Sequence, residues 1–178
     1  MAVGADLSAP QREIGRLQAR HLIDRGHRCL GYALPAQQVL RATAEERLHG
    51  VREACAERGV TAAVAERTEL TVTGAAEAVA EWRRQSVTGV CAYNDEIAVA
   101  VLAGVRAHGL TAPEDLAVVG VDDISAARLA APPLTTIAFD LGEAGGQLAE
   151  VVAAGLDGQD VQLSTLTVGP RLLVRRST

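Results

Sequence analysis

Pro113-Glu114-Asp115-Leu116-Ala117-Val118-Val119-Gly120-Val121-Asp122-Asp123-Ile124 is the stretch that decides the fold. A turn-forming Pro113-Glu114-Asp115 feeds a short, wholly apolar run that stops at Gly120-Val121, and two carboxylates follow at once. A strand with one face in water alternates apolar and polar residues. A run without alternation predicts burial on both faces, as in a parallel sheet covered by helices. Asp122 and Asp123 then stand at the carboxyl end of a parallel strand, where open α/β sheets hold their ligands.

The rest of the chain fits this frame. Residues 11–25 predict a helix with Ile14, Leu17 and Leu22 on one face, ended by Gly26, and Cys29 to Ala33 predicts a strand. Thr43 with Glu46 three residues on reads as a capping box opening a helix that stops at Gly59. A weaker strand covers 61–66, and Thr73 is placed as the cap of a helix over 74–85. Thr88 to Tyr93 predicts a strand, and Asn94 caps a helix running to His108. After the strand at 116–121, residues 125–131 carry no clear pattern. Leu134 to Phe139 reads as extended, Leu141 to Leu156 as a helix, and 161–167 and 171–175 as extended pieces. Strands alternating with helices argue an α/β fold with a parallel, doubly wound sheet.

Composition narrows the function classes. The 178 residues are 48% hydrophobic but only 2% aromatic, so Ala, Val and Leu must build the core. Net charge is −5 and the basic residues, all Arg, are dispersed, unlike a nucleic-acid footprint. No apolar run approaches a membrane span, and Met1 to Asp6 lacks the pattern of a secretory signal, which points to the cytoplasm and away from membranes. Cys29, Cys55 and Cys91 have no metal-ligand spacing and read as reduced thiols. His21, His27, His49 and His108 show no ligand spacing either, so neither metal nor cofactor is expected. There is no nucleophile elbow, zinc-protease motif or phosphate-binding loop.

In a parallel sheet every strand delivers its carboxyl end to one rim. Arg41 and Arg47, the segment Glu69 to Thr73, Asn94-Asp95, Asp122-Asp123 and Phe139-Asp140 all fall there. Donors, acceptors and one ring suit a small polar ligand. Each residue also has a plainer reading. Arg47 sits among Glu45 and Glu46 and fits a solvated surface charge. Asn94 fits a helix cap, a role compatible with ligand contact. Asp122 or Asp123 equally suits a cap on the next turn, and Phe139 taken alone reads as core rather than as a stacking platform. Trp82, on one helix with Ala78 and Val79, fits either core or a subunit contact.

Several of these segments together resemble the LacI/GalR family of bacterial transcription regulators, in the effector-binding part. They are Leu30-Gly31-Tyr32 after Gly26-His27-Arg28, Arg47-Leu48-His49-Gly50, Asn94-Asp95-Glu96-Ile97-Ala98, Val119-Gly120-Val121-Asp122-Asp123, Pro132-Pro133-Leu134-Thr135-Thr136, and Leu172-Leu173-Val174-Arg175-Arg176. The resemblance implies a periplasmic-binding-protein-like fold of type I. Residues 1–136 and 159–178 would form the C-terminal lobe and 137–158 a fragment of the N-terminal lobe. The DNA-binding headpiece, hinge helix and bulk of the N-terminal lobe are expected to be lacking. It also implies a small-molecule effector, most often a sugar, gripped by Arg47, Asn94 and Asp122, with Arg41 and Phe139 as further candidates. It implies a homodimer, whose contact surface is placed at helix 74–85 and at Ala126 to Ala131, with Val79, Trp82 and Leu129 as contact residues. Operator DNA would be reached only through a headpiece. A sugar receptor of the periplasmic type and a small α/β enzyme are the alternatives.

Overall fold

A computed structural model of the chain describes residues 8–139 and 169–178. Within them, α1 (Ser8–Asp24) leads into β1 (Cys29–Pro35). A 3-10 turn (Gln38–Leu40) runs directly into α2 (Arg41–Glu57), followed by β2 (Thr61–Thr68) and α3 (Val72–Arg84). Then come β3 (Gly89–Ala92), α4 (Asp95–Ala107), β4 (Ala117–Val121), the short α5 (Ser125–Leu129), β5 (Thr135–Ala138) and β6 (Arg171–Leu173).

The described strands form one sheet in the order β2-β1-β3-β4-β5-β6. All neighbours are parallel except β6, which runs antiparallel to β5. Helices cover both faces, as the apolar strand run implied. Successive strand residues point to opposite sides. Tyr32, Cys91 and Val119 therefore pack with α1 and α2 around Leu22, Leu48 and Val51. Their neighbours Ala33, Val90, Ala92 and Val118 pack with α3 and α4 around Val79, Trp82 and Val101. The chain leaves β1 toward β2 on one side and returns to β3 on the other. This makes the gap between the ends of β1 and β3 a topological switch point, the position that favours a ligand crevice.

Helix boundaries show which local signals win. Asn94 has extended backbone (φ −147°, ψ −179°), and its Oδ1 accepts the Ile97 N–H at 3.0 Å, as a cap should. Thr71, rather than Thr73, caps α3: its hydroxyl accepts the Gly74 N–H at 3.1 Å. Thr43 lies inside α2, because the 3-10 turn has already set the helical path and no side chain caps the helix. Gly109 stops α4 in the left-handed region, at φ 68°.

The sheet runs further than the proposed lobe boundary at residue 136. Ile137 pairs with both Val121 and Leu172, and Ala138 with Arg171, so both belong to the main sheet. The helix expected at 141–156 and the extended piece at 161–167 lie outside the described residues, as does most of the 137–158 fragment. The final residues fill a notch beside β4. Pro132 and Pro133 have no N–H to offer a neighbouring strand. Ser177 takes their place: its carbonyl accepts the Val118 N–H at 2.8 Å, while Arg176 N–H donates to the Pro133 carbonyl at 3.0 Å. The Ser177 hydroxyl donates to the Val118 carbonyl at 2.6 Å and accepts the Thr135 N–H at 2.8 Å.

Candidate functional site

Arg47, Asn94 and Asp122 follow the carboxyl ends of β1, β3 and β4, which are adjacent in the sheet. Arg47 lies in the second turn of α2, and it is not a solvated surface charge. Only 7% exposed, it donates from Nε to Gln11 Oε1 at 2.7 Å and from Nη1 to the Tyr93 carbonyl at 2.5 Å. Its Cζ stands 4.7 Å from the centre of the Tyr93 ring. The planar guanidinium is thus held at a fixed angle by α1, by the end of β3 and by a ring face. Tyr93 carries Arg47 and is followed directly by Asn94. With Asn94 Oδ1 committed to the α4 cap, Nδ2 is the group left to face a ligand, and it makes no hydrogen bond among the described residues.

The neighbouring carboxylates divide sharply. Asp123 accepts from Arg128 at 2.7 Å and from Arg175 at 2.5 Å. Burial pushes its carboxyl up, but those two arginines more than reverse the shift and hold it below its usual range. Asp122 accepts no hydrogen bond on its carboxylate among the described residues. Its backbone is in the left-handed half of conformational space (φ 108°), and its N–H is tied to the Ile137 carbonyl at 2.7 Å. Partial desolvation raises its pKa; the Arg47 charge opposes this and Glu96 adds to it. A carboxylate without a partner, within electrostatic reach of a fixed guanidinium, suits an uncharged donor such as a hydroxyl.

Asp95 belongs to a different layer. It is fully buried; Oδ1 accepts the Thr136 hydroxyl at 2.6 Å and Oδ2 the Ile124 N–H at 3.0 Å. Burial pushes its pKa up to about 6 against those two hydrogen bonds, with the charges of Asp122 and Asp123 adding to the rise. Gln18, also buried, reaches from α1 to donate to the carbonyls of Ala92 at 2.8 Å and Val119 at 3.2 Å, tying the ends of β3 and β4 together.

The remaining candidates fall elsewhere. Arg41 is 68% exposed and bonds Glu45 one turn on at 2.8 Å. It lines a cavity of about 190 Å³ with Leu34, Gln38 and Arg67, which contains none of the three residues above. Phe139 is half-buried and packs against the cluster of Ile14, Val121 and Ile137. A larger cavity of about 440 Å³ opens beside β2 and α3 between Glu66, Glu77 and Arg84, away from Arg47, Asn94 and Asp122. Val79 and Trp82 are corrected from contact surface to interior. Both are fully buried within this chain, and the Trp82 indole donates to the Val64 carbonyl at 3.1 Å. Its ring packs on Gly31, where a Cβ would come within 2.8 Å of Nε1. Leu129, at the end of α5, is 85% exposed. Gln11, Gln18, Tyr93 and Thr136 are the supporting residues that sequence reasoning missed. Gln18 left a trace as a polar residue within the apolar stripe of its helix, and Thr136 as the last residue of the Pro132 to Thr136 segment.

The periplasmic binding protein-like domain family matches residues 19–178. The regulator GalR of Escherichia coli is 30% identical over 165 residues, covering 90% of this chain and 48% of that protein. The chain thus spans about half the length of the curated relatives it matches. Among solved structures, a complex of the regulator CelR with cellobiose is 30% identical, with a TM-score of 0.73, over 95% of this chain and 52% of that one. The Escherichia coli repressor AscG superposes with a TM-score of 0.81 over 100% of this chain and 67% of that one; at 22% identity this speaks to the fold alone. These relatives are transcription regulators rather than enzymes, and no helix among the described residues is long and apolar enough to cross a membrane. By the family model that matches it, the chain belongs to the periplasmic binding protein-like domain family, and the relatives it is similar to carry the names of transcription regulators.

Proposed function

We propose that this chain is the effector-sensing and dimerising portion of a LacI-type bacterial transcription regulator working in the cytoplasm. Its effector is a sugar or a similarly hydroxylated small molecule, gripped by Arg47, Asn94 and Asp122. The observation that carries this reading is their common position after three adjacent parallel strands, with a fixed guanidinium, a free amide and an unpaired carboxylate. The relative solved with cellobiose supports the sugar class. Operator DNA is reached through a headpiece and not through this surface, consistent with the net charge of −5. Control follows from a two-state lobe arrangement that the effector biases by contacting one state better than the other. Exposed Leu129 is the remaining candidate from the expected dimer contact.

Isothermal titration with cellobiose, D-galactose, D-ribose and adenine tests the reading. At least one sugar should bind, and Asp122→Asn should weaken it by tenfold or more while leaving the melting temperature unchanged or raised. Asn tolerates a positive φ, and removing the charge relieves a partly desolvated carboxylate. Silence from every sugar, or equal affinity in the variant, would overturn it.

A further inference from the structure

Three sequence motifs whose glycine, threonine and second acid the effector grip leaves unused meet at one atom group. Asn94-Asp95, Gly120 with Asp122-Asp123, and Leu134-Thr135-Thr136 lie far apart in the chain, yet each contributes to the surroundings of the Asp95 carboxylate. Thr136 on β5 donates to Oδ1, and the Ile124 N–H, just after Asp123, donates to Oδ2. Gly120 on β4 is required by the same carboxylate. A Cβ there would stand 2.1 Å from Oδ1, so any side chain would expel Asp95 from its seat. A carboxylate is the fitting group, because both oxygens accept and both neighbours donate.

We propose that Asp95, without touching the effector, is the positioning residue that fixes the spacing between the Asn94 amide and the Asp122 carboxylate, and so the size of the polar group that fits between them. Asp95 is the first residue of α4 and follows Asn94 directly, so its place sets that of the amide. Its hold on Ile124 pins the loop whose other end is anchored by the Asp122 N–H on Ile137. Asp122 sits between these two anchors at φ 108°, a conformation disfavoured for a residue with a side chain and kept only where the surroundings impose it. With the clamp released, the loop is free to relax toward negative φ and carry the carboxylate away from Asn94. The use of that spacing rests on the effector reading above; the clamp itself does not.

The test therefore reads the loop without ligand. Amide hydrogen exchange is followed by NMR in the wild-type chain and in Thr136→Val, Asp95→Ala and Asp95→Asn. In Thr136→Val and Asp95→Ala the amides of Asp122 and Ile124 should exchange at least tenfold faster, over and above any change at Tyr32 and Cys91 in the sheet centre. Asp95→Asn should stay within about threefold of wild type, because its amide oxygen can accept from Ile124 while its NH2 donates to the Thr136 hydroxyl, which can also accept. Thr136→Val is the milder replacement and keeps the comparison open if Asp95→Ala fails to fold. Loop amides that merely follow the sheet, or an Asp95→Asn loop as loose as that of Asp95→Ala, would overturn the proposal. Cellobiose titrations add the functional readout: Thr136→Val should weaken binding at least fivefold, and this loss should vanish in an Asp122→Asn background. Equal cellobiose affinity in wild type and Thr136→Val would overturn the positioning role with the effector reading intact. If the wild-type chain ignores cellobiose, the same titrations are run with whichever of D-galactose and D-ribose it binds; silence from all three sugars counts against the sugar reading and leaves the exchange pattern to judge Asp95.

Discussion

Replacing Arg47 by Lys keeps the charge and removes the fork, which makes it a sharp probe of the site. Arg47 reaches two acceptors at once, Gln11 Oε1 at 2.7 Å and the Tyr93 carbonyl at 2.5 Å, and lies over the Tyr93 ring. A lysine ammonium can keep the carbonyl but cannot span both, and it is more strongly hydrated than a guanidinium in a place that is 7% exposed. A hydrogen bond to a charged group is worth about 1.5–3 kcal/mol, and a stacked guanidinium about 0.5–2 kcal/mol, of which the ammonium keeps part. The expected loss is about 2–3 kcal/mol, a drop of roughly 1 M in the urea midpoint at a typical slope. The decisive measurement is a double-mutant cycle with Gln11→Ala. In the wild-type background that change should cost about 1–2 kcal/mol; in the Arg47→Lys background, where the bond is already gone, it should cost under about 0.5 kcal/mol. An equal cost in both backgrounds would show that Gln11 does not hold Arg47, and the fixed guanidinium would no longer be an argument for the site.

Ser177→Ala should destabilise the chain by about 2–4 kcal/mol in chemical denaturation, because it strands the buried Thr135 N–H and removes a donor from the Val118 carbonyl; a loss below about 0.5 kcal/mol would mean that water or a shifted tail replaces the hydroxyl. The pH dependence separates two groups of opposite sign. Asp95, raised to about 6, binds its proton more tightly folded than unfolded, so its contribution is full below about pH 4 and is lost as pH rises through 6. His21, half-buried against Thr178 and lowered to about 4 by desolvation and by Arg25, contributes fully above pH 6.5 and loses this as pH falls toward 4. Wild type should therefore gain on Asp95→Asn, by up to about 3 kcal/mol, as pH falls from 7 to 4. A gap between the two chains that ignores pH would refute the assignment.

Wherever one local cause dominates, the fold is legible in the amino acids. The unalternated strand at 116–121 is buried on both faces because Val118 and Val119 feed two different cores. Asn94 caps its helix because a side-chain oxygen next to free N–H groups has little better to do. Where two signals compete at short range, sequence cannot choose. Thr71 and Thr73 are both fit to cap, and it is Thr71, with extended backbone at φ −132° and ψ 152°, that takes the role. Trp82 with Val79 marks an apolar helix face, but the same pattern serves a core or a subunit contact. What decides is Gly31 on β1, which leaves the space the indole fills.

The site was legible in residue type and illegible in role, and the three acids show why. Asp95, Asp122 and Asp123 are the same side chain, each just beyond a strand end, and no propensity or spacing separates them. Their fates are set by partners distant in sequence. Thr136 takes Asp95 into the interior, Arg175 from the far end of the chain neutralises Asp123, and Asp122 is what remains. Backbone conformation completes the division. Asp122 and Asp123 both have positive φ, at 108° and 50°, so the strand ends at Val121 and neither acid continues its pleat. The free carboxylate therefore depends on its occupied neighbours. If Arg175 and Arg128 were both removed, Asp123 would compete for the same donors as Asp122, and the distinction on which the proposed effector grip rests would be lost without any change in Arg47, Asn94 or Asp122.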